Sequence, residues 1–396
     1  MESLPDPRAL LAETFGAGGE TAAVQAPGRV NLIGEHIDYH NLPVLPMALR
    51  RSVRVAFRAR ADRQIRAVSA GAYGAREFAW KETMEPAPAG DWENYLRAAA
   101  RAIAQKWGVL RGVDAAVVSD LPAAAGLSSS SALLVAFTLS LLRANGVTPA
   151  FEELMEILPE GEQFVGTRGG GMDHAASLAS RAGCASLIEF DPLGVHTVPV
   201  PPGWAFLVAH SLTVAEKSGA VRQQYNLRRT AGTAALGRLG FASYRKAIEG
   251  RTLAELEGMA SENLSDTLER DSFLHVASEA VRVREAVEAM ERRDAAAFGS
   301  LLCASHASLR DRLQVSCAAL DRLVETAMDS GALGARLTGA GFGGCAVVFC
   351  RRPDLPGVRE GLIERYYAGS PQFDESMHLI HAEPGPGALQ SAEDLN

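Results

Sequence analysis

Residues 29 to 39 read Arg-Val-Asn-Leu-Ile-Gly-Glu-His-Ile-Asp-Tyr and place a cation, an amide, two carboxylates, an imidazole and a phenol around one glycine. Val30, Leu32 and Ile33 form a short apolar anchor and Gly34 lets the backbone turn. Glu35, His36 and Asp38 then present polar heads where a strand runs into a loop or helix start. Such a cluster suits a polyhydroxylated ligand, because carboxylates accept from hydroxyls while imidazole donates or accepts. Taken alone, the segment also fits a solvated loop with surface ion pairs.

A second locus, Leu121-Pro122-Ala123-Ala124-Ala125-Gly126-Leu127-Ser128-Ser129-Ser130-Ser131-Ala132, opens the apolar run Leu133-Leu134-Val135-Ala136-Phe137. A loop without bulky side chains lets an anion approach the backbone, where the unpaired N–H groups of a first helical turn and the positive end of the helix dipole bind it. Serine hydroxyls add donors, or offer neutral oxygen to magnesium. A plain serine-rich helix cap is the alternative. No G-x-x-x-x-G-K-[ST] pattern occurs in the chain, which excludes a P-loop kinase.

Two further glycine clusters follow. Residues 159 to 178 hold three consecutive glycines, Gly169, Gly170 and Gly171, just before Asp173 at the start of a small-residue helical run. On its own Asp173 fits a helix cap as well as a catalytic group. The stretch Ala335 to Phe349 contains a literal G-x-G-x-x-G in Gly339, Gly341 and Gly344. These glycines lead into the β-rich run Ala346 to Phe349 rather than a helix, which argues against a dinucleotide fingerprint. In isolation they also fit a glycine-rich hairpin without a ligand.

In this order, from about Ala26 to Phe349, the four motifs resemble those of the galactokinases, within the small-molecule kinases that include homoserine, mevalonate and phosphomevalonate kinases. The resemblance implies an ATP- and magnesium-dependent sugar 1-kinase that turns galactose into α-galactose 1-phosphate and ADP. Asp173 would face the anomeric hydroxyl, and Arg29 would stabilise the transferring phosphoryl group and keep Asp173 ionised. Glu162 matches the acidic magnesium ligand, with Ser130 as its hydroxyl partner. Glu35, His36, Asp38 and Tyr225 would fix the sugar, and the Gly170 N–H would meet it near its second carbon. Gly126, Leu127, Ser128, Ser129 and Ser130, closed over by Gly339 and Gly341, would hold the triphosphate.

The chain departs from the family pattern at His40-Asn41-Leu42-Pro43, where a glycine usually follows the tyrosine, at Ala124 in place of glycine, and at His174 in place of glutamine. Asp91 to Tyr95 and Ser305 to Asp311 also resemble galactokinase segments, the latter with a structural role. The stretches 126 to 133, 166 to 173 and 187 to 193 resemble the N-acetylgalactosamine kinases, with Gly169, Gly170 and Gly171 making room for a larger group at the second carbon. A galactokinase-like sensor that binds sugar and ATP without turnover is a further alternative, opposed by the presence of Arg29, Glu162 and Asp173. The Glu35 to Tyr39 cluster opposes a mevalonate-type or homoserine-type substrate.

Elements able to position these residues can be read from periodicity. Val24 to Leu49 and Arg54 to Ala67 are β-rich, Tyr95 to Trp107 is helical, and Val113 to Ser119 is a strand feeding the serine loop. Trp204 to Ala209 is a buried strand, helices dominate from Val221 to Met328, and a strand resumes at Ala346 to Phe349. Segregated blocks point to α+β layers. With 396 residues two domains are expected, 1–205 and 206–396, with the active site between them and a mobile tail from Glu383 to Asn396.

Composition excludes several classes. A net charge of −8 without any basic run makes nucleic acid an unsuitable partner. The first residues lack the basic and apolar regions of a signal peptide, and the apolar helix within Leu121 to Leu142 is too short to span a bilayer, so no membrane association is expected. Five scattered cysteines make no disulfide framework, which fits a reduced cytoplasm, and the nine histidines show no zinc spacing. The expected partners are a small-molecule sugar and ATP, and the sequence leaves the oligomeric state open, a monomer being compatible with it.

Overall fold

The computed structural model describes residues 4–71, 73–122, 125–166, 169–213 and 220–390. The departure at Ala124, the third-motif residues Thr167 and Arg168, and tail residues 391–396 lie outside that set.

Two β-sheets carry the molecule. In the first, β1 (Ala22–Ile33), β2 (Leu45–Ala59), β3 (Gln64–Ser69), β4 (Gly74–Ala79) and β5 (Val113–Ser119) lie in the order β1-β2-β5-β3-β4. β3 and β5 run parallel, and the other pairs are antiparallel. Strand alternation sorts the sheet's faces: Val55, Phe57 and Val117 join the main core, while Ala56 and Ala116 leave the other face shallow enough for Leu11 of α1 (Pro7–Phe15). α2 (Glu93–Trp107) and α3 (Ser129–Ala144) pack in the main core, α3 against β1 and β2. The uncharged run from Leu121 to Leu142 thus contains a central buried helix, apolar on nearly every side because protein surrounds it. α4 (Phe151–Val165), α5 (Met172–Ala179) and the hairpin of β6 (Cys184–Phe190) and β7 (Leu193–Pro199) complete this half.

The second sheet has the order β11-β8-β10-β9, from β8 (Trp204–His210), β9 (Gly334–Thr338), β10 (Cys345–Arg351) and β11 (Leu379–Ala382). Every residue of β8 is buried, as a continuous apolar run requires. Helices α6 (Ala220–Arg238), α7 (Tyr244–Ile248), α8 (Leu253–Asn263), α9 (Thr267–Glu291), α10 (Ala295–Asp311), α11 (Ala318–Asp329) and α12 (Leu355–Leu362) belong to this half. Asp266 and Asp294 cap α9 and α10 by accepting from Glu269 N and Ala297 N. The G-x-G-x-x-G run joins antiparallel β9 to β10, so it is a strand-to-strand loop. Apolar side chains of both halves merge into one buried cluster, from Leu32 and Phe137 through to Phe206 and Phe349. The architecture is α+β.

Two expectations meet a different arrangement. The division after residue 205 falls inside β8, whose Trp204 and Ala205 already pair with β10, because sheet membership is a tertiary property. The tail is not loose where it is described. Gly385 N donates to Ala48 O, Gly387 N to Ser180 O, Ala388 N to Ser177 O and Leu389 N to Leu178 O, while Pro384 O accepts from Gly183 N. Prolines and glycines here make an extended strap that returns to the first half. Ending the chain at Ala382 is expected to lower the unfolding free energy by about 3 kcal/mol or more, at about 0.5–1.5 kcal/mol per hydrogen bond. Urea denaturation of both chains checks this, and coincident curves would show that the strap adds nothing.

Candidate active site

Strand β1 delivers the first charged group. The β1–β2 register shifts between Pro27 and Arg29, where the serine loop docks and Arg29 N donates to Leu127 O at 3.2 Å. A side chain at Gly28 would stand 2.6 Å from that carbonyl, so only glycine admits the contact. The Arg29 guanidinium then spans two motifs. Nε and Nη2 lie 2.7 and 2.6 Å from Asp173 Oδ1, and Nη1 donates to Gly126 O at 2.7 Å. Burial works against this cation, but the carboxylates of Asp173, Glu35 and Asp38 outweigh it and hold the guanidinium above its usual range.

Asp173 sits in the first turn of α5, behind Gly171 as N-cap. Its second oxygen, Oδ2, accepts from Ser128 Oγ at 2.6 Å. Ser128 is the N-cap of α3 in a left-handed conformation and makes no side-chain cap bond, which leaves its hydroxyl for the aspartate. Ser131, three residues on and so on the same helix face, donates to Glu162 Oε1 at 2.5 Å and lies 3.4 Å from Asp173 Oδ2. Ser131 is thus the serine hydrogen-bonded to Glu162 here, while Ser130, the hydroxyl expected beside Glu162 at magnesium, lies near the phenol of Tyr95. Ser130 is rotated about 100° from Ser131 around the helix, so the two hydroxyls leave α3 in different directions.

The sugar-like cluster folds over the same point. Asp38 Oδ2 accepts from Gly170 N at 3.0 Å, and a side chain at Gly170 would stand 2.4 Å from the Asp38 carbonyl carbon and Tyr39 N. The space expected beside the glycines is thus filled by protein backbone at Gly170, while Gly171 faces the side chains of Met155, Phe190 and Pro159 and Gly169 that of Glu162. Burial, reinforced by the charge of Asp173, raises the Asp38 carboxyl to about 6. His36 Nε2–H donates to Ala340 O at 3.2 Å, so Nδ1 accepts from the Tyr39 hydroxyl at 2.9 Å. Burial, with His275 nearby, lowers this imidazole to about 3 and keeps it neutral. Tyr225 on α6 packs its ring 5.0 Å from His36 and 5.6 Å from Tyr39. In the departure at 40–43, Asn41 adopts the left-handed conformation that a glycine would otherwise supply, and its N–H donates to Asp38 O.

Glu35 faces inward. Its Oε1 accepts from Gly339 N, its Oε2 accepts from Asn31 Nδ2, and Arg336 stands 3.4 Å away. Gly339 backs directly onto Gly126, so the serine loop and the last glycine loop touch through backbone. Leu127 is buried and presents its carbonyl to Arg29, Gly341 packs against Val315 O, and Ser129 is half-buried. His174 is buried beside Asp173, and neither of its ring nitrogens has a partner among the described residues. Of the two weaker resemblances, Asp91 accepts from Arg76, and Ser305 donates to the buried Glu279, whose Oε1 also takes Gly34 N.

The chain matches the galactokinase galactose-binding signature over residues 9–59, the GHMP kinases N terminal domain over 94–181 and the GHMP kinases C terminal model over 286–368. A galactokinase of Roseiflexus sp. (strain RS-1) is 36% identical over 374 residues, 92% of each chain. The chain belongs to the galactokinase family. The crystal structure of Lactococcus lactis galactokinase complexed with galactose superposes with a TM-score of 0.87 at 26% identity, over 96% of this chain and 97% of that one. Methanococcus jannaschii mevalonate kinase shares the fold with a TM-score of 0.64 at 16% identity, over 93% and 100%. These relatives do not favour the N-acetylgalactosamine alternative.

Sequence reasoning missed Gly28, Ser131, Thr338 and Arg336. Ser131 was within reach, since the i, i+3 spacing from Ser128 places both hydroxyls on one face. The others gain meaning only where β9 and the serine loop meet β1. In this galactokinase, Gly170→Ala is expected to cost about 1–3 kcal/mol of stability through overpacking and to lower kinase activity as Asp38 is displaced. A urea titration run alongside an ADP-release assay checks both effects. Wild-type values in both would mean that the contact is slack.

Proposed function

We propose that this galactokinase transfers the γ-phosphoryl group of ATP to the anomeric hydroxyl of D-galactose, giving α-D-galactose 1-phosphate and ADP. The carrying observation is Asp173, held on one oxygen by Arg29 and on the other by Ser128, where the sugar signature meets the serine loop. Asp38, Tyr225 and the Gly170 backbone edge the sugar side, and His36 and Glu35 brace that edge from within. On the phosphate side, the first N–H groups of α3 and the Gly339 loop receive the triphosphate.

Little base strength is needed from Asp173. In a loose phosphoryl transfer the attacking hydroxyl becomes acidic only as its bond to phosphorus forms. Asp173 therefore orients the hydroxyl and takes its proton late, while Arg29 offsets charge on the transferring group.

The oxygen donors at Glu162, Ser131 and Ser130 fit magnesium, a hard cation that keeps several waters and is bound by one or two carboxylates plus substrate phosphates. Among the described residues no group of three or more His, Cys, Asp or Glu is placed to hold a metal. Glu162 and the serines would thus supply only part of its shell. When bound, the ion neutralises charge on the phosphates. The intact Arg29–Asp173–Ser128 arrangement speaks against a sensor that has lost turnover.

Asp173→Asn is expected to cut turnover by about 10²–10⁴-fold while magnesium-ATP still binds, measured by ADP release and by calorimetry. Near-normal turnover would overturn the role of Asp173, and turnover on N-acetylgalactosamine exceeding that on galactose would overturn the substrate. The raised Asp38 carboxyl is ionised above about pH 6 and protonated below it. Galactose KM should accordingly be flat above pH 7 and rise as pH falls through 6, and Asp38→Asn should remove that rise. A KM profile unchanged by the substitution would exclude Asp38 as the titrating group.

A further inference from the structure

We propose that Arg336 is a positioning residue for phosphoryl transfer, holding Glu35 where its carboxylate grips the Gly339 N–H and so setting the sugar signature and the glycine loop as one unit. The inference rests on the reading above that the Gly339 loop borders the triphosphate.

Arg336 is completely buried on β9. Its Nη1 donates to Asn31 O and Leu32 O, both at 2.9 Å, while its Nη2 stands 3.4 Å from Glu35 Oε2. Among the described residues Nε and Nη2 have no hydrogen-bond partner. A guanidinium so placed is costly if it serves only as packing, since an apolar side chain would fill the volume without the desolvation. What the position provides is charge opposite a buried carboxylate. Glu35 spends that charge on Gly339 N, the first residue of the loop that backs onto Gly126. Thr338, between Arg336 and Gly339, closes the same seam by bonding both the N–H and the carbonyl of Asn31.

The electrostatic surroundings of Glu35 support this role. Burial raises its carboxyl, and Arg336 followed by Arg29 oppose the rise. Asp38 and the neutral His36 lie on its own segment. From α9, His275 Nε2–H donates to Glu35 O at 3.0 Å, and Glu279 is covered by Arg282 at 2.8 Å. Arg336 is the counter-charge that reaches Glu35 from the loop-bearing strand. Without it, Glu35 takes up a proton more readily and the anionic grip on Gly339 weakens.

The test compares wild type, Arg336→Met, Arg336→Lys, Glu35→Gln and the Glu35→Gln/Arg336→Met double variant. Each is titrated with a non-hydrolysable ATP analogue and magnesium between pH 5.5 and 8.5, about three pH units, with melting temperature recorded in parallel. Arg336→Met is expected to weaken binding about tenfold at pH 7 and to move its acid limb up by about one unit, with partial rescue by Arg336→Lys. Glu35→Gln should abolish the limb, and the double variant should bind no worse than Glu35→Gln. Affinity and pH profile unchanged in Arg336→Met, or a loss equal at every pH, would overturn the proposal. If Arg336→Met fails to fold, Arg336→Lys and Glu35→Gln decide, the proposal failing if both keep the wild-type profile. Galactose turnover by the wild type, measured alongside, tests the kinase reading independently.

Discussion

The ion pair between Arg29 and Asp173 joins residues 144 positions apart in the chain and ties the first, second and third motifs together at one point. A buried guanidinium is stable only beside carboxylate and carbonyl oxygen. Here it finds Asp173 on α5 and Gly126 O on the serine loop. The pair therefore locks β1, α3 and α5 into one relative placement. Asp173 keeps one oxygen for Arg29 and one for Ser128, so its orientation is set from both sides before any ligand arrives, which is what positioning catalysis needs.

Close backbone approach does the remaining work. At Gly28 the serine loop seats against β1, and at Gly170 the segment after α4 seats against Asp38 and Tyr39. Each contact brings a main-chain N–H or carbonyl where a side chain would have blocked it. In the second half, β9 carries Arg336, Thr338 and Gly339 to the same seam, so the two sheets meet through polar contacts around the site and through apolar ones in the shared core. The strap at 383–390 adds a second tie between the halves, far along the sequence from the first.

Much of the site was legible from residue types and order. Four motifs, each ambiguous alone, were consistent together, and the structure brings Arg29, Asp38, Glu162, Gly170 and Asp173 around one centre. The α+β layering and the strand feeding the serine loop followed from periodicity. Which serine hydrogen-bonds Glu162 did not follow, because a run of four serines hides which face of α3 looks inward. Nor did the role of Gly170, which reads as spare room in one dimension and is filled by the turn at Asp38 and Tyr39 in three. Proline and glycine in the tail suggested mobility, yet the same residues suit an extended strap that needs neither helix nor strand.

What the sequence determined by itself is the chemistry available: an aspartate and an arginine, a serine loop at a helix start, and glycines wherever backbone must come close. Local composition sets these, because they depend on side-chain type and on the few residues either side. Which hydroxyl meets Glu162, whether Glu35 faces solvent or the Gly339 loop, and which charges raise Asp38 were decided only by the tertiary structure. Burial and long-range pairing govern those outcomes, and both depend on residues hundreds of positions apart in the chain, such as Asn31 and Thr338, separated by 307.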